Sequence, residues 1–158
     1  MLAAVALGSN LASRFGEREE NLRTAVERVC SLGSVVAVSS FFDTEPVGYL
    51  DQPRFLNGAL LLETELAPIA LLRGLLAIEA EMGRRRDLVV AKGPRVIDLD
   101  LLLVDGVVVD TPELMLPHPA LAERAFVLEP LAEIAPGWVH PVTGRTVVEM
   151  LAALHAKQ

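Results

Sequence analysis

One cysteine, Cys30, among 158 residues excludes an intrachain disulfide and any cysteine-based metal centre. It falls on the apolar face of a predicted helix and is expected as a small buried hydrophobe. Aromatic residues make up only 4% of a chain that is 52% hydrophobic. The core must therefore come from Leu, Val, Ile and Ala, and any aromatic outside a regular element becomes informative. Positive charge is in deficit too, and a net charge of −7 speaks against nonspecific binding to nucleic acid. No apolar run is long enough to span a membrane. Residues 1–7 lack the basic start of a signal peptide and read as a first strand. No repeat, low-complexity tract or linker divides the chain, so residues 1–158 read as one cytoplasmic domain, expected as a monomer. Gly8-Ser9-Asn10 lacks the Gly-Lys-Ser/Thr ending of a phosphate loop, no Gly-x-Gly-x-x-Gly occurs, and the stretch reads as a tight turn.

What is present is a regular alternation of elements. Residues 2–7 predict a strand, and 18–31 a helix with Leu22, Ala25, Val26 and Val29 on one face. Residues 35–42 are β-branched and aromatic, hence a strand. A loop over 43–54 holds Pro46, Gly48 and Pro53, and long ordered loops are where function concentrates. A strand follows over 56–65. Pro68 suits the first turn of a helix running to about Met82, with Leu71, Leu75, Ile78 and Met82 inward. Gly83 ends that helix and opens a second long loop through Pro94. Residues 96–104 predict a buried strand, with Asp105-Gly106 as a hairpin turn into 107–109. Pro117-His118-Pro119 leads to short elements near 120–134. Thr146 and Glu149 form a capping box for a closing helix. The order β-α-β-β-α-β, with two helices on one face of an antiparallel sheet, is the ferredoxin-like α+β arrangement. A C-terminal hairpin and helix region is added to it.

The strand 96–104 carries the chain's main chemical signal. Asp98 and Asp100 are two residues apart, so they project from one face with Cα atoms about 6.5–7 Å apart. Leu99, Leu101 and Leu103 would face the other way. Two unscreened like charges raise each other's pKa at a cost in stability, which a shared divalent cation removes. Oxygen-only ligands favour Mg²⁺ or Mn²⁺ over Zn²⁺. Taken alone, Asp-x-Asp is equally what a solvated edge strand, or salt bridges to neighbouring arginines, would show. Arg84, Arg85, Arg86, Lys92 and Arg95 are five of the 14 basic residues and lie next to this pair in sequence. They read either as a solvated run at a helix C-terminus or, beside a metal-binding pair, as a clamp on phosphate oxygens. Phe55 and Asn57 share one face of their strand. An aromatic plate beside an amide that donates and accepts suits a flat heteroaromatic ring, although Phe55 and Phe126 are each also ordinary core residues. His118, between two prolines, reads as a phosphate contact or a plain loop residue.

Together these residues resemble the 6-hydroxymethyl-7,8-dihydropterin pyrophosphokinase family of folate synthesis. The matching stretches are Ala6-Leu7-Gly8-Ser9-Asn10-Leu11, Ser39-Ser40-Phe41-Phe42, Thr44-Glu45-Pro46-Val47-Gly48 and Asp51-Gln52-Pro53 with Phe55-Leu56-Asn57. Gly93-Pro94-Arg95 with Ile97-Asp98-Leu99-Asp100-Leu101, Pro117-His118 and Arg124-Ala125-Phe126-Val127-Leu128 complete the set. They run in family order over nearly the whole chain.

The resemblance implies transfer of pyrophosphate from ATP, as co-substrate, to the pterin hydroxymethyl group, with release of AMP. It implies that Asp98 and Asp100 hold two Mg²⁺ ions on the ATP phosphates. Pterin would stack between Phe55 and Phe126, with Thr44, Val47, Gly48, Asn57 and Arg124 around it. Arg84, Arg86, Arg95 and His118 match positions that contact ATP, Arg84 and Arg95 also assisting transfer. Glu79 matches a nucleotide-side position. The expected partners are these small molecules, with no nucleic acid and no membrane. The chain departs from the family at Lys92, where Trp is common, in the apolar run Leu88-Val89-Val90-Ala91 of a loop the family uses as a lid, and at Leu76, where some members have Gln. Two other readings of the acid pair are a nucleotide hydrolase that needs no pterin and a nucleotide-sensing module without turnover.

Overall fold

Strand β1 (Leu2–Ser9) is the axis of the molecule, with every residue from Ala3 to Ser9 buried. A strand buried on both faces must be covered on both. The computed structural model, which describes residues 1–46, 51–83 and 94–157, meets that requirement. After β1 come α1 (Arg18–Val29), β2 (Ser34–Val38), β3 (Phe42–Thr44), β4 (Phe55–Glu63), α2 (Pro68–Glu81) and β5 (Asp98–Val104). The chain continues with β6 (Val109–Asp110), β7 (Met115–Leu116), a 3₁₀ turn at Leu121–Glu123, α3 (Ala125–Ile134) and α4 (Val147–Ala156). The main sheet has the order β2-β4-β1-β5, with β3 also paired to β4 and every pairing antiparallel. This is the ferredoxin-like arrangement. The expectation of helices on one face covers only half of it. Leu22, Ala25 and Val29 of α1 and Leu71, Leu75 and Ile78 of α2 pack on Ala3, Val5 and Leu7. Val127, Leu128 and Leu131 of α3, with Val147 and Met150 of α4, pack on Ala4, Ala6 and Ala59 across the other face.

Several local expectations are corrected. Gly8 and Ser9 do not turn but continue β1, Gly8 pairing with Asn57 on one side and Asp98 on the other. The strand expected over 35–42 is two strands. The Ser40 amide donates to Glu133 of α3 at 2.6 Å instead of to β4, which interrupts the ladder. Asp105-Gly106 does form a turn, Gly106 at φ +71°, but β6 leaves to pair with β7. The outer side of β5 is already in use: the Leu99 amide donates to Glu79 of α2 at 2.7 Å, and the Leu102 carbonyl accepts from the His118 amide at 2.9 Å. A bulge in β5 also redirects Leu103. Ala4 pairs with Leu103 and Val5 with Leu101, so Leu102 is the extra residue, and Leu103 joins the α3 face instead of the face of Leu99 and Leu101.

Cys30 is exposed, because Val29 takes the inward position and α1 ends there. The capping box is formed as expected: the Glu149 amide donates to Thr146 Oγ1 at 3.1 Å and the Thr146 amide to Glu149 Oε1 at 2.9 Å. Thr146→Ala should lower stability by about 1 kcal/mol, measured by chemical denaturation. Among the described residues no helix is long and apolar enough to cross a membrane.

Candidate active site

The register of three strands builds the site. Asn57 on β4, Gly8 on β1 and Asp98 on β5 form one rung across the sheet, and Ala59, Ala6 and Asp100 form the next rung on the same face. Adjacent strands are about 4.8 Å apart, so the Asn57 and Asp98 backbones stand about 10 Å from each other with β1 between them. β1 contributes almost no side chain on this face. A Cβ on Gly8 would lie 3.0 Å from Asn57 Oδ1 and 3.8 Å from both Asp98 Cβ and Phe55 Cδ1. The result is a hollow over Ala6 and Gly8, lined also by Thr44, Phe55, Asn57, Arg95, Asp98, Asp100, Arg124 and Phe126.

The two walls differ in chemistry. On the β3–β4 side, Thr44 pairs with Phe55, and the Asn57 side-chain amide donates to Thr44 Oγ1. That bond turns Asn57 Oδ1 toward the space above Gly8. Asp43 anchors the outer end of this pair of strands. Side-chain hydrogen bonds from Arg54 and then Arg18 hold its carboxyl below the usual range. Phe126 comes from the first turn of α3, and the Arg124 guanidinium lies 5.7 Å from its ring centroid. On the β5 side, Arg95 Nη1 donates to Asp98 Oδ2 at 2.9 Å, with the two side chains 19% and 22% exposed. The Phe55–Asn57 wall and the Arg95–Asp98–Asp100 wall thus face each other across a floor in which β1 presents only Ala6 and Gly8.

His118 stands beside the hollow but does not line it. Its Nδ1 accepts from the Ala120 amide at 3.1 Å, which leaves the proton of the neutral ring on Nε2. Burial lowers its pKa, the Arg124 charge lowers it further, and Asp98 acts in the opposite sense. A folded-state pKa below the unfolded value adds stability above the ordinary value of about 6.5, and that stability is lost as pH falls through the folded pKa. NMR titration should accordingly find the His118 ring neutral at pH 7 and titrating below 6.5.

Glu79 is only 2% exposed and is not brought to the hollow. Its carboxylate accepts the amide of Leu99, the residue between the two aspartates, because α2 packs on the opposite face of the sheet. Val47, Gly48, Arg84 and Arg86 lie outside the described residues, as do Arg85 and Lys92. Among the residues that line the hollow, sequence reasoning missed Ala6 and Gly8. Their signal was a small residue at every second position, Ala4, Ala6 and Gly8, alternating with Val5 and Leu7.

Asp98 and Asp100 present two carboxylates from one face of β5 to the hollow. Among the described residues no group of three or more His, Cys, Asp or Glu could enclose a metal. An open pair of oxygen donors suits Mg²⁺, which takes one or two carboxylates and completes its shell with water and substrate phosphates.

A family model described as 7,8-dihydro-6-hydroxymethylpterin-pyrophosphokinase (HPPK) matches residues 4–136. The chain is 48% identical over 151 residues to the 2-amino-4-hydroxy-6-hydroxymethyldihydropteridine pyrophosphokinase of Pseudomonas aeruginosa, covering 94% of this chain and 89% of that protein. It is 41% identical over 155 residues to the folic acid synthesis protein fol1 of Schizosaccharomyces pombe, covering 97% of this chain but 20% of that one. Among solved structures, wild-type Plasmodium falciparum HPPK-DHPS superposes with a TM-score of 0.79 at 14% identity, over 99% of this chain and 45% of that one. At that identity the likeness establishes the fold. The chain spans a fifth of fol1 and under half of the HPPK-DHPS chain.

Proposed function

The chain belongs to the 7,8-dihydro-6-hydroxymethylpterin-pyrophosphokinase family, and we propose that it carries out pyrophosphate transfer from ATP to 6-hydroxymethyl-7,8-dihydropterin in folate synthesis. The observation that carries this reading is the rung Asn57–Gly8–Asp98, which sets Phe55 and Asn57 opposite Arg95 and Asp98 across β1.

In this reading the pterin lies between Phe55 and Phe126, its edge read by Thr44 and by Asn57 Oδ1, with Arg124 beside it. By the family pattern Val47 and Gly48 are assigned to the same pterin edge. Arg95 and His118 bind the triphosphate, His118 donating from Nε2, with Arg84 and Arg86 assigned to the same task. Asp98 and Asp100 would hold two Mg²⁺ ions, which neutralise phosphate oxygens when bound. Glu79 serves this side indirectly, by holding the Leu99 backbone. The pterin hydroxyl oxygen forms a bond to the β-phosphorus as the bond from that phosphorus to the α-phosphate bridging oxygen breaks. AMP leaves, and the hydroxyl proton passes to solvent. A loose phosphoryl-transfer transition state asks mainly for alignment and charge neutralisation, which two walls facing each other across β1 supply. Residues 1–158 would act as one monomeric cytoplasmic domain on small molecules, a reading supported by the net charge of −7 and the placement of the walls within one sheet.

The test is product analysis with Mg-ATP, with and without the dihydropterin. AMP formed only with pterin supports the proposal. ADP released without pterin would instead make the protein a nucleotide hydrolase, and binding without turnover would make it a sensor.

A further inference from the structure

Asn10, at the end of β1, is 3% exposed and makes four hydrogen bonds to two distant segments. Its Nδ2 donates to Gln52 Oε1 and to the Pro53 carbonyl, both at 2.9 Å. Its Oδ1 accepts the Arg95 amide at 2.7 Å, and its own amide donates to the Arg95 carbonyl at 3.0 Å. The orientation of the side chain is chemically determined. The Pro53 carbonyl can only accept and the Arg95 amide can only donate, so oxygen and nitrogen cannot exchange places. Asp would keep the accepting arm and lose the donating one, whereas Ala would lose both.

The segments joined this way are the ones that carry the two walls. Gln52-Pro53 leads directly into Phe55 and Asn57 on β4, and Arg95 is ion-paired to Asp98. Resting on the function proposed above, we infer that Asn10 is a positioning residue whose donating arm sets the pterin wall and whose accepting arm sets the phosphate wall. Each arm governs one substrate.

The test uses the full chain and two titrations: a non-hydrolysable Mg-ATP analogue alone, then 6-hydroxymethyl-7,8-dihydropterin at saturating analogue. Asn10→Ala should weaken both ligands by at least about tenfold. Asn10→Asp retains a stronger, charged acceptor for the Arg95 amide but sets an oxygen against the Pro53 carbonyl. It should keep analogue affinity within about threefold of wild type while pterin affinity falls at least about tenfold. A merely structural asparagine would not divide the substrates in this way. Asn10→Asp that binds pterin like the wild type, or that loses both ligands equally, overturns the inference. If the variants do not fold, NMR of the wild type decides: the Asn10 side-chain amide signals must shift on adding either ligand, and signals unmoved by one of them overturn the inference. Failure of the wild type itself to bind pterin would instead remove the functional proposal.

Discussion

Asp98→Ala and Asp100→Ala each reduce pyrophosphate transfer at least about a thousandfold, which corresponds to roughly 4 kcal/mol of transition-state stabilisation. The expectation rests on the two aspartates being the only carboxylates of β5 and both lining the hollow. A triphosphate presents several negative oxygens to an incoming hydroxyl, and bound cations are the strongest means of offsetting them. In the proposed reading, removing one carboxylate would leave a cation with half of its β5 ligands. The fold should persist, because both side chains are partly exposed and the core leucines of β5 are untouched. The thermal midpoint should stay within a few degrees of wild type, a shift of roughly 1 kcal/mol or less for a domain of this size. Calorimetry should show Mg²⁺-dependent analogue binding weakened in both variants. Turnover within about tenfold of wild type in either variant would remove the two-carboxylate role.

Asn57→Leu should lower kcat/KM for the dihydropterin at least about a hundredfold while analogue affinity stays within about threefold. Leucine keeps the branched outline of asparagine but is bulkier, so at a site 6% exposed it replaces the polar edge of the wall with methyl groups at a modest cost in packing. The Oδ1 acceptor above Gly8 disappears, and Thr44 Oγ1 loses its donor. A ring whose polar edge meets an apolar wall loses its hydrogen bonds to water without replacement, and that difference discriminates more strongly than shape alone. Equal losses for pterin and nucleotide would instead mean that Asn57 supports the whole hollow, and an unchanged pterin KM would take it out of the ring site.

The chemistry-bearing positions that could be read from the chain alone are those whose geometry is local. Strand periodicity puts Asp98 with Asp100, and Phe55 with Asn57, on common faces wherever those strands pack. Helical periodicity identified the inward residues of α2, and the Thr146–Glu149 pair announced the start of α4, because caps are made within one turn. Resemblance then joined these fragments into one family.

The remainder depends on contacts between segments far apart in sequence. Cys30 looked inward until the end of α1 placed Val29 there instead. Leu103 changed faces because one bulge against β1 shifted the period. Glu79 matched a nucleotide-side position, and packing of α2 behind β5 sets its carboxylate on the Leu99 backbone between the two aspartates. Gly8-Ser9-Asn10 read as a turn because glycine, serine and asparagine favour turns locally, and pairing with both neighbouring strands outweighed that preference. By itself, then, the sequence determined the fold class and the two sets of candidate site residues, Phe55 with Asn57 and Asp98 with Asp100. Only the tertiary structure decided that the sets face each other across a bare central strand and are tied together by Asn10, because strand order and cross-sheet register are set by long-range packing and leave no local period to read.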